Sequence, residues 1–295
     1  MQNFEKVDNI RKNISSVIVG KDEVIKLILT SVLAGGHILL EDVPGTGKTV
    51  IAKSLAGSIS GEFSRVQFTP DLLPSDVTGI NFYNQKAGEF TLRKGPVFGN
   101  IVLADEINRA TPRTQSSLLE CMEEHQVTID GVTYRLDEPF VVIATQNPIE
   151  TAGTFPLPEA QLDRFLMKLS MGLPDKDEEV KIMERFMGEV PGAGSAKRVA
   201  AVCSAKDIVD MQQEAAKVYV HKAILEYIAS IVQATRKNPE IKMGISPRGT
   251  LALLRAVKAF AYIAGREYVV PEDVKAVAVS VLAHRLVLML SLIHI

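Results

Sequence analysis

The sequence has 295 residues, of which 46% are hydrophobic and 23% charged, and its formal net charge is −2. The length suffices for two domains, and the composition is typical of a globular protein. No long basic run indicates sequence-independent nucleic-acid binding, although a basic channel created by oligomerisation stays open. Two cysteines exclude a disulfide framework and favour a cytoplasmic location. The longest apolar run, near the C-terminus, is interrupted by His284 and Arg285, so we expect a packed helix there and no membrane span.

Short apolar runs alternate with predicted helices through the first part of the chain. The predicted strands are HILLE (37–41), RVQF (65–68), NIVLAD (100–105), FVVIATQ (140–146) and FLMKLSM (165–171). Such runs are typical of strands that are buried on both faces of a parallel sheet. Their alternation with helices predicts an α/β fold, an αβα sandwich with right-handed crossovers.

Two segments depart from this alternation and predict β-hairpins. Residues 79–98 alternate in polarity around a turn at 86–88, and residues 125–139 contain Asp130-Gly131 between alternating runs. An Asp-Gly pair in that setting is a strong hairpin signal. We expect both hairpins as insertions in a core domain of residues 1–173.

After residue 173 the pattern becomes helical. Asp175 is a predicted cap of a helix that runs to about Met187, Ser246-Pro247 begins another helix, and Pro271 begins the last one. We therefore expect a hinge near residues 172–174 and an all-helical domain at 174–295. The final apolar residues contain no polar helix stop, which predicts that the last helix is truncated.

A glycine-rich loop, DVPGTGKT, joins the first predicted strand to a helix predicted from about residue 48 to 60. Gly45 and Gly47 allow a tight turn that points backbone N–H groups at phosphate, and the helix adds its positive end. Lys48 can reach the β- and γ-phosphates, and the Thr49 hydroxyl can bind Mg²⁺. A strand–helix turn that binds nothing is the alternative, but the strand–loop–helix context favours phosphate binding.

Asp42 occupies the first position of this loop, where the general pattern G-x-x-x-x-G-K-[ST] has glycine. A carboxylate next to phosphate would be repelled. We therefore predict that the Asp42 carboxylate points away from the nucleotide.

Polar residues follow two other predicted strands. Asp105 and Glu106 lie at the carboxyl end of the third strand, where ligands bind in such sheets. Asp105 can hold Mg²⁺, and Glu106 can polarise an attacking water. Asn147 follows the fourth strand and can hydrogen-bond the γ-phosphate or that water. Each feature alone is equally typical of a solvated loop or an Asn-Pro turn, but together with the glycine loop they predict ATP hydrolysis.

The ordered motifs resemble those of the MoxR family of AAA+ ATPases over nearly the whole chain. They are VGKDEVI, LLEDVPGTGKT, RVQFTPDLLPSDVTG, KGPVFGNIVLADEINRATPRTQSSLLECMEE, VIATQNPIETAGTFPLPEAQLDRF and SPRGTLALLRAVKAFA. The resemblance implies a P-loop AAA+ αβα sandwich with a parallel five-stranded sheet, followed by a small all-helical lid domain.

The resemblance also implies which residues form the site. The implied nucleotide-binding residues are Val19, Gly20, Pro44, Gly45, Thr46, Gly47, Lys48, Thr49, Val50 and Arg248. The implied Mg²⁺ ligands are Thr49 and Asp105. The implied catalytic residues are Lys48, Glu106, Asn147, Arg164 and Arg248.

Three arginines receive a role only through the resemblance, because locally each is typical of a solvated or ion-paired surface residue. Arg164 matches the arginine that reaches the ATP of a neighbouring subunit. Arg248 matches the sensor 2 arginine of the lid, so ATP is expected between the sheet domain and the lid. Arg109 is expected at the subunit interface.

Family resemblance further implies ATP and Mg²⁺ as cofactors and assembly into a ring, usually a hexamer. Family members are thought to be chaperone-like machines that mature other proteins, often with a von Willebrand factor A domain partner. Two alternatives stay open. One is the ATPase subunit of a magnesium-chelatase-like complex, and the other is a nucleotide-gated binding module with little turnover.

Overall fold

The computed structural model describes residues 3–43, 45–86, 88–148, 153–187 and 199–289. The strands are β1 (Ile38–Glu41), β2 (Phe63–Gln67), β3 (Gly79–Asn84), β4 (Glu89–Lys94), β5 (Ile101–Asp105), β6 (Gln126–Ile129), β7 (Val132–Arg135), β8 (Val141–Gln146), β9 (Met167–Leu169), β10 (Ile241–Met243) and β11 (Val287–Leu288). The helices are α1 (Phe4–Ser15), α2 (Asp22–Leu33), α3 (Lys48–Ser58), α4 (Pro74–Thr78), α5 (Pro112–Glu124), α6 (Glu159–Leu162), α7 (Lys176–Phe186), α8 (Ala205–Ala216), α9 (Lys222–Lys237), α10 (Pro247–Ile263) and α11 (Pro271–Leu282).

Five parallel strands form the central sheet in the order β2-β5-β8-β1-β9. They correspond to the five predicted apolar runs, so the predicted sheet is confirmed. We call the edge where these strands end the carboxyl edge and the edge where they begin the amino edge. Because all five strands run the same way, the loops that follow β1, β5 and β8 meet at the carboxyl edge.

The sheet is covered on both faces, which explains why its strands are apolar almost throughout. Alternate side chains enter two separate hydrophobic cores: Ile38 and Leu40 of β1 belong to one core and Leu39 to the other. The first core also contains buried residues of α1, α2, α3 and the C-terminal helices, and the second contains those of α5. This arrangement is the predicted αβα sandwich.

The two predicted hairpins are present as β3–β4 and β6–β7, each an antiparallel pair outside the main sheet. Asp130 and Gly131 form the β6–β7 turn with φ values of +50° and +82°. The β3–β4 hairpin exposes aromatic side chains, among them Tyr83 and Phe90, whose ring centroids lie 5.4 Å apart.

The C-terminal region is helical, as predicted, and two predicted helix starts carry the expected caps. The Asp175 side chain accepts from Glu178 N–H at the start of α7, and Ser246 accepts from Gly249 N–H at the start of α10. None of the helices within the described parts of the chain is long and apolar enough to cross a membrane.

The chain leaves the helical pattern after α11. Within the described residues, α11 ends at Leu282, a 3₁₀ turn follows at 283–285, and β11 pairs antiparallel with β10. In this turn the side chains of His284 and Arg285 both contact the buried backbone carbonyl of Phe165, which lies in the sheet domain. Residues 290–295 lie outside the described residues.

Candidate functional site

The glycine loop has the backbone geometry that phosphate binding requires. Gly45 and Gly47 both have φ +87°, in the left-handed region that favours glycine. Gly47 is the N-cap of α3 and cannot cap the helix with a side chain, so no side chain of its own competes for the N–H groups of the first turn. Thr49 and Val50 lie in that turn. Pro44 lies outside the described residues.

The Lys48 side chain is held at the start of this loop by a hydrogen bond. Its Nζ atom donates a hydrogen bond to the backbone carbonyl of Asp42, at 2.8 Å. A lysine side chain is flexible and carries three donors, so it can exchange this carbonyl for a phosphate oxygen without a change of the main chain. Thr46 Oγ1 donates to Val43 O at 3.3 Å and closes the preceding turn.

The Asp42 carboxylate contacts the segment that follows β9. It accepts hydrogen bonds from the Ser170 hydroxyl at 3.1 Å, from Met171 N–H and from Gly172 N–H at 3.3 Å. The side chain is therefore engaged with residues 170–172, in agreement with the prediction that it does not face the phosphate. It joins the entrance of the glycine loop to the chain that leads from the sheet into α7.

The two acidic residues at the end of β5, Asp105 and Glu106, are held by a threonine from β8. Thr145 Oγ1 donates to Asp105 Oδ1 at 2.7 Å and accepts from Glu106 N–H at 2.8 Å. Glu106 has φ +56°, an uncommon conformation for glutamate that turns its side chain out of the strand direction. The β5–β8 pairing thus supports the predicted acidic pair from the neighbouring strand.

Two residues of β2 also contact these carboxylates and were not predicted. Arg65 donates to Asp105 Oδ2 at 2.6 Å, and Gln67 Nε2 donates to Glu106 Oε2 at 2.9 Å. Arg109 Nη1 adds a contact of 3.1 Å to the same Glu106 oxygen. Glu106 is consequently oriented by the Gln67 amide and the Arg109 guanidinium.

The donor set at the carboxyl edge fits Mg²⁺. The Asp105 carboxylate and the Thr49 hydroxyl are hard oxygen ligands, and Asp105 already holds a cationic partner, Arg65. No cluster of three His, Cys, Asp or Glu side chains able to hold a metal occurs among the described residues. A Mg²⁺ ion bound here would use few protein oxygens together with water and phosphate.

Asn147 follows β8 directly and lies on the same edge. The residue is 7% exposed, and β8 runs between β5, which carries Asp105, and β1, which leads into the glycine loop. The structure thus brings Asn147, the acidic pair and the loop to one edge of the sheet.

The turn at Val19 and Gly20 lies against the first C-terminal helix. Gly20 has φ +70°, and a Cβ atom there would lie 1.7 Å from Glu178 Oε1 of α7. Lys21 Nζ is 3.5 Å from Glu178 Oε2 and 3.3 Å from the Leu173 carbonyl. A side chain at position 20 would have to displace Glu178, and the positive φ favours glycine there. The turn thus lies at the boundary between sheet and helical regions.

Arg164 and Arg248 lie at the opposite, amino edge of the sheet, and both contact Glu123 at the end of α5. Arg164 Nη2 is 3.0 Å from one Glu123 oxygen, and Arg248 Nη2 is 3.1 Å from the other. Arg164 comes just before β9, whose first residue pairs with Ile38 at the start of β1.

This position differs from the one expected for Arg248. The four residues of β1, about 13 Å at roughly 3.3 Å per residue, separate the amino edge from the glycine loop. The structure therefore does not bring Arg248 to the loop of its own chain, although a lid arginine over the bound nucleotide was expected. The reason is the packing of α10, which brings Arg248 to Glu123 and not to Lys48.

The sheet order, the glycine loop before α3 and the acidic pair after β5 define a P-loop protein of the AAA+ class. The family model "ATPase family associated with various cellular activities (AAA)" matches residues 37–167, and the model "AAA lid domain" matches residues 233–292.

Relatives give the family within this class. Chaperone MoxR1 of Mycobacterium tuberculosis is 45% identical, over 93% of this chain and 74% of its own length. Protein MoxR of Methylorubrum extorquens is 32% identical, over 94% of this chain and 86% of its own. The crystal structure of a candidate ATPase from Cytophaga hutchinsonii matches with a TM-score of 0.90 and 42% identity, over 98% of this chain and 89% of that one. The chain belongs to the MoxR family of AAA+ ATPases.

Proposed function

We propose that this protein is a Mg²⁺-dependent ATPase that forms a ring and remodels or matures partner proteins. The observation that carries the proposal is the meeting of Lys48, Asp105 and Glu106 at the carboxyl edge of the sheet, supported by membership of an ATPase family. The name Chaperone MoxR1 of a relative supports the chaperone-like part. Free thiols at Cys121 and Cys203 agree with a cytoplasmic location.

Hydrolysis is a transfer of the γ-phosphoryl group to water. Glu106 accepts a proton from the water that attacks the γ-phosphorus, while the bond to the β–γ bridging oxygen breaks and ADP leaves. Lys48 stabilises the phosphate charge, and Asn147 orients the γ-phosphate or the attacking water. Thr49 and Asp105 would hold Mg²⁺, which supplies charge neutralisation at the phosphates.

The two edges of the sheet supply the argument for assembly. Arg164 and Arg248 lie too far from the glycine loop of their own chain to contact its nucleotide, yet both side chains are partly exposed, 28% and 46%. In the proposed ring, the amino edge of one subunit would face the carboxyl edge of the next. Both arginines would then contact the γ-phosphate of the neighbouring subunit, where such a cation accelerates transfer by about 10³–10⁵.

Replacement of Glu106 by glutamine tests the catalytic role. Glu106→Gln should keep ATP binding and lose turnover by about 10²–10⁴, because glutamine has the same shape but cannot accept the proton. Phosphate release and binding of a fluorescent ATP analogue measure the two properties. Glu240→Gln, at an exposed glutamate, is the matched control and should retain activity. Unchanged turnover in Glu106→Gln would contradict the assignment.

Mixing of two inactive variants tests the role across subunits. Arg164→Ala subunits keep an intact glycine loop, and Glu106→Gln subunits keep an intact arginine. An equimolar mixture should recover activity, because interfaces then form in which both parts are intact. If no mixing ratio recovers phosphate release, Arg164 does not act across a subunit interface. Tight ATP binding with negligible hydrolysis by the unmodified protein would instead favour a nucleotide-gated binding module.

A further inference from the structure

Arg285 is a buried arginine whose charge has no part in the site described above. It lies in the 3₁₀ turn after α11, and its side chain is only 4% exposed. It crosses from the C-terminal region into the sheet domain. Its guanidinium contacts are Asp163 Oδ1 at 2.6 Å, Asp163 O at 3.2 Å, Phe165 O at 2.7 Å, Leu166 O at 3.2 Å, Val281 O and His284 Nε2 at 2.8 Å.

Four of these contacts are to the residues on either side of Arg164 in the sequence, at positions 163, 165 and 166. Residues 163–166 lie between the end of α6 and the start of β9, so their carbonyl groups have neither helical nor sheet partners of the regular kind. The planar guanidinium supplies five N–H donors in a fixed arrangement and satisfies three of these carbonyls together with the Asp163 carboxylate. Because a buried carbonyl without a partner is costly, this network fixes the main chain on both sides of Arg164.

Arg285 also supports the segment that carries Arg248. A Cβ atom on Gly249, the next residue, would lie 3.0 Å from Arg285 Cδ, so the first turn of α10 packs directly on the Arg285 side chain. Arg285 therefore packs against both segments that carry the partly exposed arginines. The side chains of Arg164 and Arg248 in turn each contact one carboxylate oxygen of Glu123.

We propose that Arg285 is a positioning residue that holds Arg164 and Arg248 as one rigid unit for presentation to the nucleotide of a neighbouring subunit. The inference rests on the proposed action of Arg164 across the subunit interface. The Arg285 side chain is only 4% exposed, so Arg285 does not itself contact the nucleotide. Its effect must therefore come through the main chain of residues 163–166 and through Gly249.

A distinct prediction separates this role from general support of the fold. A subunit that lacks the Arg285 network should fail to donate Arg164 to its neighbour but should still bind and hydrolyse ATP when a neighbour donates an intact arginine. Arg285→Lys keeps the charge but loses the fork of donors, so it should lower phosphate release of the homogeneous protein at least about tenfold. Asp163→Asn weakens the same network from the partly exposed side and should act in the same direction.

The test is a set of equimolar mixtures in a phosphate-release assay. Arg285→Lys mixed with Glu106→Gln should recover activity, as Arg164→Ala mixed with Glu106→Gln does. Arg285→Lys mixed with Arg164→Ala should not recover, because neither subunit can donate the arginine. Arg266→Lys is the matched control: Arg266 forms a comparable double contact with buried Asp273 inside the C-terminal region, and this variant should keep its activity.

Each outcome gives a decision. If Arg285→Lys retains normal turnover, or if it fails to recover with Glu106→Gln while Arg164→Ala does recover, the positioning role is overturned and the proposed function stands. If neither mixture recovers, the action of Arg164 across the interface fails and the positioning role fails with it, whereas hydrolysis through Glu106 is decided by Glu106→Gln alone. Should Arg285→Lys not fold, as judged by circular dichroism, the same mixtures made with Asp163→Asn give the decision.

Discussion

Asp42 offers a direct test of how the glycine loop is built, because its carboxylate and its carbonyl have separate partners. The carboxylate accepts from residues 170–172, whereas the backbone carbonyl accepts from Lys48. Asp42→Ala removes the first set of contacts and keeps the second. We expect a loss of stability with little change in ATP affinity.

The magnitude follows from the three lost contacts. Hydrogen bonds to a charged group contribute about 1.5–3 kcal/mol each, but the Gly172 bond is long and the Ser170 hydroxyl can turn to another partner. Removing the buried carboxylate also removes its desolvation cost. A net loss of about 3 kcal/mol is expected, which lowers Tm by about 6–12 °C for a chain of this size. Asp42→Asn keeps one acceptor oxygen and should lose about half as much.

Thermal unfolding and titration with a fluorescent ATP analogue measure the two effects. Asp137→Ala, at an exposed aspartate, is the control and should change stability by no more than about 0.5 kcal/mol. The opposite result would refute this account. If the Asp42 carboxylate faced phosphate, Asp42→Ala would raise ATP affinity through loss of repulsion and leave Tm unchanged.

Two further predictions concern a turn and a buried histidine. Gly20→Ala should weaken ATP binding in the same titration, because the new methyl group would overlap Glu178. Gly35→Ala is the control and should leave ATP binding unchanged, because Gly35 has a similar positive φ (+64°) but no neighbouring atom within reach of the methyl group. Burial lowers the pKa of His37 from 6.5 to about 4, so the unfolded chain takes up this proton first. The free energy of unfolding should therefore fall as the pH is lowered from 6.5 to 4. Urea unfolding should show a smaller fall for His37→Gln than for the unmodified protein, and an unchanged fall for His221→Gln.

The sequence predicts those parts of the fold that depend on local pattern. Both faces of the sheet are buried, so the strands appear as continuous apolar runs such as residues 100–105. The Asp130-Gly131 turn and the Asp175 cap were likewise predictable, because each needs a particular residue type at one position. The glycine loop belongs to this class as well.

Contacts that depend on strand order were not predictable in the same way. Arg65 and Gln67 reach Asp105 and Glu106 only because β2 lies next to β5, with Gln67 paired to Asp105. No motif near Arg65 or Gln67 in the sequence predicts that they contact the acidic pair. The one signal that could have been used is the alternation of polar residues in β2, which places the Arg65 and Gln67 side chains on the same face of an outer strand.

The position of Arg248 has a similar cause and a wider consequence. A resemblance assigns a residue to a helix, but the packing of that helix decides which edge of the sheet its side chain reaches. Here α10 carries Arg248 to Glu123, beside Arg164, and the buried Arg285 links the two segments. A single chain thus holds its phosphate-binding loop at one edge and two arginines at the other. Under the proposed function, neither edge forms a complete site alone. The rate of phosphate release per subunit should therefore increase with subunit concentration.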